Sequence, residues 1–336
     1  MKKISIKICC FIPLLLIIIT PIIWVDPLHV FGRDHGLNAK QFYDQRLIKT
    51  NILQYENPDY NAIIIGSSRA RYMGNMQIGG YKFFNLGFGG LMLADYPGFM
   101  DLAREKAPDS LECVIVALDF FGVSKDRVSR TQWKATDEYL CDSQDIAYLA
   151  RLMISPNSFK YSIKYLSNYI FNGKDAIKSW AELNIPEPQI KSVQLKYLNK
   201  VFSTWEFDKK NISVLKNMKT NFKDSRLIFI VNPVSMDFLQ IIHKNDGIPD
   251  FLNWLQILAQ TLDGYYNFMD ITPLTSNPQN WHDMSHAIPD TMKLQLETVL
   301  LNETDNPNFT FITSENADSV ISCIQNRIEE FDFSQF

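Results

Sequence analysis

Ala62-Ile63-Ile64-Ile65-Gly66-Ser67-Ser68-Arg69-Ala70 is the stretch on which the fold turns. Four apolar residues stand between Asn61 and Gly66, and small residues follow at once. A run this short and this continuously apolar suits a strand covered on both faces of a sheet. Working outward, four further runs share the character: Tyr81–Asn85, Cys113–Leu118, Leu227–Val231 and Tyr265–Met269. Helical periodicity lies between them, as in Leu93–Lys106 and Phe251–Leu262. Strands alternating with helices predict an α/β fold: a three-layer, flavodoxin-like, doubly wound parallel sheet of about five strands.

The interval 124–224 is different. It carries helix-like segments at Ile146–Met153, Ser158–Phe171 and Ile212–Phe222, broken at Pro156-Asn157 and Pro186–Pro188. It reads as a helical insertion over one edge of the sheet. Its aromatic residues (Tyr161, Tyr165, Tyr169, Phe171, Trp180, Tyr197, Phe202, Trp205) either line a substrate cleft or simply pack the insertion. The α/β domain as a whole then covers 61–301, after a linker and lead-in helix at 26–60 and before a C-terminal tail with a short helix at 302–336.

Residues 1–25 have another pattern. Lys2, Lys3 and Lys7 precede an uncharged, Leu- and Ile-rich run from Ile8 to Val25, at the short end of what crosses a hydrocarbon core. A cleaved signal peptide would end in small residues, whereas this run ends in Pro21-Ile22-Ile23-Trp24-Val25-Asp26-Pro27. The expectation is a transmembrane signal anchor, with the bilayer as partner, a cytoplasmic N-terminus and an extracytoplasmic domain. A buried helix of a soluble core is the other reading, against which Pro13 and Pro21 count. Across the 336 residues the charged fraction is 21% and the net charge -4, which does not favour nucleic acid as a partner. Beyond the anchor only Cys113, Cys141 and Cys323 remain, too few for a disulfide framework or a zinc cluster, though one bridge can form.

The chemistry begins where the first strand ends. Ligands of open parallel sheets bind beyond the carboxyl ends of the strands. A serine there has an exposed hydroxyl and an inward backbone N–H, as a nucleophile and oxyanion donor require. A plain helix N-cap is the alternative. Near the other end, Asp283 and His286 are spaced i, i+3, so a helical turn would project both from one side. The carboxylate could then hold the imidazole tautomer while the other ring nitrogen takes a proton from serine. Zinc at His282, Asp283 and His286 lacks any further ligand set, so no metal and no cofactor is expected. Phe84-Asn85-Leu86-Gly87-Phe88-Gly89-Gly90 follows the second strand. Its glycines either aim N–H groups at a ligand or make a tight turn, and no P-loop lysine accompanies them.

Together and in this order, Gly66-Ser67-Ser68, Asn85–Gly90 and Asp283-Met284-Ser285-His286 resemble the blocks of the SGNH (GDSL-like) hydrolase superfamily. The resemblance covers roughly Asn61–Leu301 and is closest to membrane-anchored bacterial members, as the segments Asp26-Pro27 and Gly36-Leu37-Asn38 also suggest. It implies Ser68 as nucleophile, His286 as base, Asp283 as its orienting acid, and the N–H groups of Ser68 and Gly90 as oxyanion donors. It further implies an esterase or O-acyltransferase of cell-envelope glycans, with a membrane acyl-transfer partner for some relatives. Arg69, Asn85 and Asp119 are candidates for contacting substrate, with a solvated face for Arg69 and helix capping for Asp119 as the structural alternatives. Two departures stand out: Ser67 replaces the family's Asp, and the third block, Val114–Gly122, has no oxyanion-donating asparagine. An ionised Asp119 cannot supply that donor. A non-catalytic envelope binding or assembly module is therefore the competing expectation.

Overall fold

The computed structural model describes residues 2–31, 45–125, 136–172, 191–301 and 306–333. Gly36-Leu37-Asn38, Trp180 and Pro186–Pro188 lie outside the described residues. The five apolar runs all form strands: β1 (Ala62–Gly66), β3 (Tyr81–Gly87), β4 (Cys113–Leu118), β5 (Arg226–Val231) and β6 (Tyr265–Asn267). β1 pairs in parallel with both β3 and β4, β4 with β5, and β5 with β6. The sheet is wider than five strands, because β2 (Gln77–Ile78) and β7 (Thr310–Ile312) add antiparallel edges in the order β2-β3-β1-β4-β5-β6-β7. It is thus mixed rather than purely parallel. Both added strands are two or three residues long with partly exposed side chains, so neither makes an apolar run.

The helices that cover this sheet follow its strands. They are α3 (Ser68–Arg71), α4 (Tyr96–Lys106), α8 (Lys191–Phe202), α9 (Lys210–Asn221), α10 (Met236–Lys244), α11 (Ile248–Thr261), α12 (Pro289–Leu300) and α13 (Ala317–Glu330). Met292, Leu296 and Val299 of α12 recur at helical spacing and share one core cluster with Ala62, Ile64, Ile115 and Ile230. Ile63 and Ile65 point to the opposite face of the sheet and are equally buried, so neither face meets water. Beyond 301 the chain is more than a tail, since it supplies β7 and the fourteen-residue α13.

Residues 59–133 and 185–336 form this sheet-containing unit, and 1–58 with 134–184 form a second, helical one. The interval 124–224 is therefore divided. Its stretch 134–184, with α5 (Thr136–Gln144), α6 (Ile146–Met153) and α7 (Pro156–Asn172), joins the N-terminal residues, while α8 and α9 belong with the sheet. In the helical unit, α1 (Lys2–Val25) is followed by Asp26, whose carboxylate accepts the N–H groups of Val30 and Phe31 at 2.9 Å. Asn51 of α2 (Gln45–Tyr55) donates to the Leu28 carbonyl at 2.8 Å. Ile22, Leu28 and Met153 form a small core, with Ile18, Leu152 and Phe159 packed against it. The last turns of α1 thus rest on protein. Among the described residues no helix is long and apolar enough to cross a membrane.

Candidate active site

The turn after β1 is built from two serines with separate tasks. Ser67 is the N-cap of α3, and its hydroxyl accepts the Arg69 N–H at 3.3 Å. Capping therefore falls to Ser67, and Ser68 opens the helix with its hydroxyl free to point elsewhere. The Ser68 hydroxyl lies 2.8 Å from His286 Nε2. This short helix is held close to the end of β3: a Cβ on Gly87 would sit 2.3 Å from the Arg71 backbone nitrogen, so glycine is what permits the approach. Asn85 braces the same junction. Its amide donates to the carbonyls of Ala70 at 2.8 Å and Gly74 at 3.0 Å, and its oxygen accepts the Gly87 N–H at 2.7 Å.

His286 stands on a loop and not on the helical turn suggested by the i, i+3 spacing. Trp281 and Ala287 bridge its ends in antiparallel fashion, and the His282 N–H donates to the His286 carbonyl at 2.8 Å. Inside the loop, Asp283 Oδ1 accepts the N–H groups of Ser285 at 2.8 Å and His286 at 3.0 Å. A carboxylate that folds the chain back onto itself in this way brings its own successor at i+3 alongside, with no helix needed. His286 Nδ1 is 2.9 Å from both Asp283 oxygens. With the proton on Nδ1, the imidazole donates to Asp283 and accepts from Ser68, which is the arrangement of a serine–histidine–carboxylate relay.

Two features keep the relay poised. Burial pulls the Asp283 carboxyl up, but the hydrogen bond from His286, the attraction of that ring whenever it is protonated, and the Ser285 N–H hold the carboxyl well below the usual carboxylate range. Burial lowers the His286 imidazole against the pull of Asp283, and the guanidinium charges of Arg69 and Arg71 lower it further. The net shift favours the neutral ring, the form that a general base needs. Tyr72 stacks on the His286 ring at 4.9 Å and 19°.

The other predicted site residues fall into two groups. Gly90 ends the glycine turn with a φ of 62°, a left-handed conformation that suits glycine. Arg69 and Asp119 occupy each other. Arg69 Nη1 donates to Asp119 Oδ1 at 2.8 Å, and both side chains are buried. The guanidinium also lies against the rings of Phe121 and Phe238, at 4.7 and 4.8 Å. Asn232, at the end of β5, donates to the same Asp119 oxygen at 3.2 Å. Asn85, Arg69 and Asp119 thus stand in the scaffold around Ser68, each engaged with protein. Of the insertion's aromatics, the half-buried Trp205 packs on Phe120 at 4.2 Å, and Phe202, which stacks on it at 5.9 Å, is buried core.

Sequence reading passed over Tyr72, Gln194 and Asn232. Gln194 had one visible signal, a lone amide in the stripe of α8 that continues as Leu198, Val201 and Phe202. A cleft of about 300 Å³ opens beside the loop, lined by Lys191, Gln194, Ser235, Asp237, His282 and Asp283 among others. Cys113, Cys141 and Cys323 are free, and burial pushes the Cys113 thiol up to about 12. Among the described residues no group of three or more His, Cys, Asp or Glu is placed to hold a metal ion. The sequence matches no protein-family model and no curated protein.

Proposed function

We propose that the protein is an SGNH-type serine ester hydrolase or O-acyltransferase acting on an ester of a cell-envelope glycan. The observation that carries this reading is the chain Ser68–His286–Asp283, with contacts of 2.8 and 2.9 Å, joining residues that are 218 positions apart. Support comes also from the parallel strands, whose order by first appearance is second, first, third, fourth, fifth, as in flavodoxin-like sheets. Ser68 gives its proton to His286 and attacks the ester carbonyl. The resulting oxyanion is held by the N–H groups of Ser68 and Gly90. Collapse expels the alcohol with a proton from His286, leaving an acyl-serine. Water then resolves it to the acid, or a sugar hydroxyl takes the acyl group; the same relay serves both. No cofactor takes part in this scheme.

The N-terminal run is proposed as a single-pass anchor, with the bilayer as its partner and the catalytic domain on the outer side. Substrates within reach of that surface are envelope glycans, and a membrane acyl donor is the natural partner for a transferase. A second reading, a binding or assembly module, is favoured by one observation. Asp119, in the block where relatives carry an oxyanion-donating asparagine, is an acceptor bound to Arg69. A serine-reactive fluorophosphonate separates the two. The enzyme reading expects labelling of the wild type that disappears in Ser68→Ala; a folded wild type that stays unlabelled leaves the binding module.

A further inference from the structure

We infer that Tyr72 is a positioning residue of the relay, its ring holding the His286 imidazole by the face and stabilising it once protonated; this rests on the catalytic reading above. Ser68 opens α3, and Tyr72 follows its last residue with helical dihedrals of -72° and -12°. The two stand at i and i+4, so one turn of helix presents nucleophile and phenol on the same side. Both meet His286. The Ser68 hydroxyl is 2.8 Å from Nε2, and the phenol centroid lies 4.9 Å from that of the imidazole with the planes 19° apart. The same phenol meets the His282 ring at 6.0 Å, tilted by 52°, so two rings of the loop rest on it.

The contacts with Ser68 and Asp283 reach only the two nitrogens at the edge of the imidazole. Neither bears on its face, where Tyr72 lies almost parallel. The phenol is a fixed surface because it is itself held: it is buried and shares a core cluster with Ala70, Met73, Ala287 and Met292. Close packing of this kind leaves a ring little room to move. Misplacement of a relay member by an ångström can lower rates about a hundredfold, so a contact on the face limits a costly motion. The phenol also acts electrostatically. The face of an aromatic ring is the negative side of its quadrupole, and a cation within about 6 Å of the centroid is attracted to it. Taking the Ser68 proton turns His286 into such a cation, at a place where Arg69 and Arg71 oppose positive charge. Tyr72 therefore favours the state that forms during the attack.

The test replaces Tyr72 in the full chain with phenylalanine and with pentafluorophenylalanine, and follows the fluorophosphonate labelling rate against pH. The two rings have nearly the same shape, but fluorination reverses the quadrupole, so the face turns positive while the packing stays. The charged and titratable groups around His286 are Asp283 of its own loop and Arg69 and Arg71 of α3, with His282 beside Tyr72, and the exchange alters none of them. Tyr72→Phe should label within about twofold of the wild type with the acid limb in place, since the ring face remains. Pentafluorophenylalanine should slow labelling several-fold at neutral pH. Its acid limb should move down by about half a pH unit or more, because the imidazolium loses its favourable face. If both variants fold, by circular dichroism, and label alike, the ring only fills core and the inference fails. Rings with one, two and three fluorines should give a graded loss, and a flat series overturns the inference even where the fully fluorinated chain does not fold. A wild type that never labels, beside an unlabelled Ser68→Ala, overturns the catalytic reading itself, and the positioning role falls with it.

Discussion

His286 concentrates the physical demands of the site in one side chain. It must be neutral to accept the Ser68 proton, yet it sits against a carboxylate that favours its charged form. Burial and the two nearby guanidinium groups outweigh that carboxylate, so its pKa lies below the ordinary value of about 6.5. Labelling of Ser68 should therefore hold as pH falls to about 6.5 and be lost only below it, which a pH–rate profile measures directly. The sign for stability is related. Below about 6.5 the unfolded chain binds a proton that the folded chain resists, so folding weakens as pH drops. Asp283→Asn should lower the labelling rate by roughly a thousandfold or more, because a carboxamide cannot fix the Nδ1–H tautomer. Circular dichroism of the same variant should remain that of the wild type.

Elements enter at the junction of β1, α3 and β3. The helix that bears Ser68 has only four residues and cannot hold its own position by backbone hydrogen bonds alone. It is fixed from outside: by backbone contact at Gly87, by the Asn85 amide, and by the ion pair of its Arg69 with Asp119 after β4. Removing one partner of a buried pair leaves the other charge without compensation. Asp119→Ala is expected to destabilise the fold by about 3–5 kcal/mol in urea unfolding. The double variant Arg69→Met with Asp119→Leu should recover most of that loss, since neither charge is then stranded. An ion pair that contributed only as an exposed bridge would show under about 1 kcal/mol in both measurements.

For the whole molecule, the chain divides into a sheet-containing unit that carries the relay and a helical unit that carries the N-terminus. The anchor proposal belongs at this scale. The uncharged run Ile8–Val25 predicts that the full-length chain stays in the membrane fraction through alkaline extraction. Release of the intact chain would show that α1 is a helix of the protein's own core, to which Ile22 at its end belongs and against which Ile18 packs. Release of a shortened chain would show cleavage instead.

Much of this was legible in the sequence, and for local reasons. Short continuous apolar runs such as Ala62–Ile65 suit strands of a sheet covered on both faces, and a Gly-Ser-Ser turn after one places a hydroxyl at its carboxyl end. The pairing of Asp283 with His286 is local too, although a backbone-folding carboxylate achieves it here in place of the helical turn that the spacing suggested. The edge strands β2 and β7 escaped, because their two or three residues make sense only beside a neighbour. Whether Ser68 meets His286, and whether Arg69 faces a ligand or Asp119, depended on segments far apart in the chain. Only tertiary structure could decide those contacts: a side chain's partner is set by which strand ends the sheet brings together, and residue type alone does not encode that.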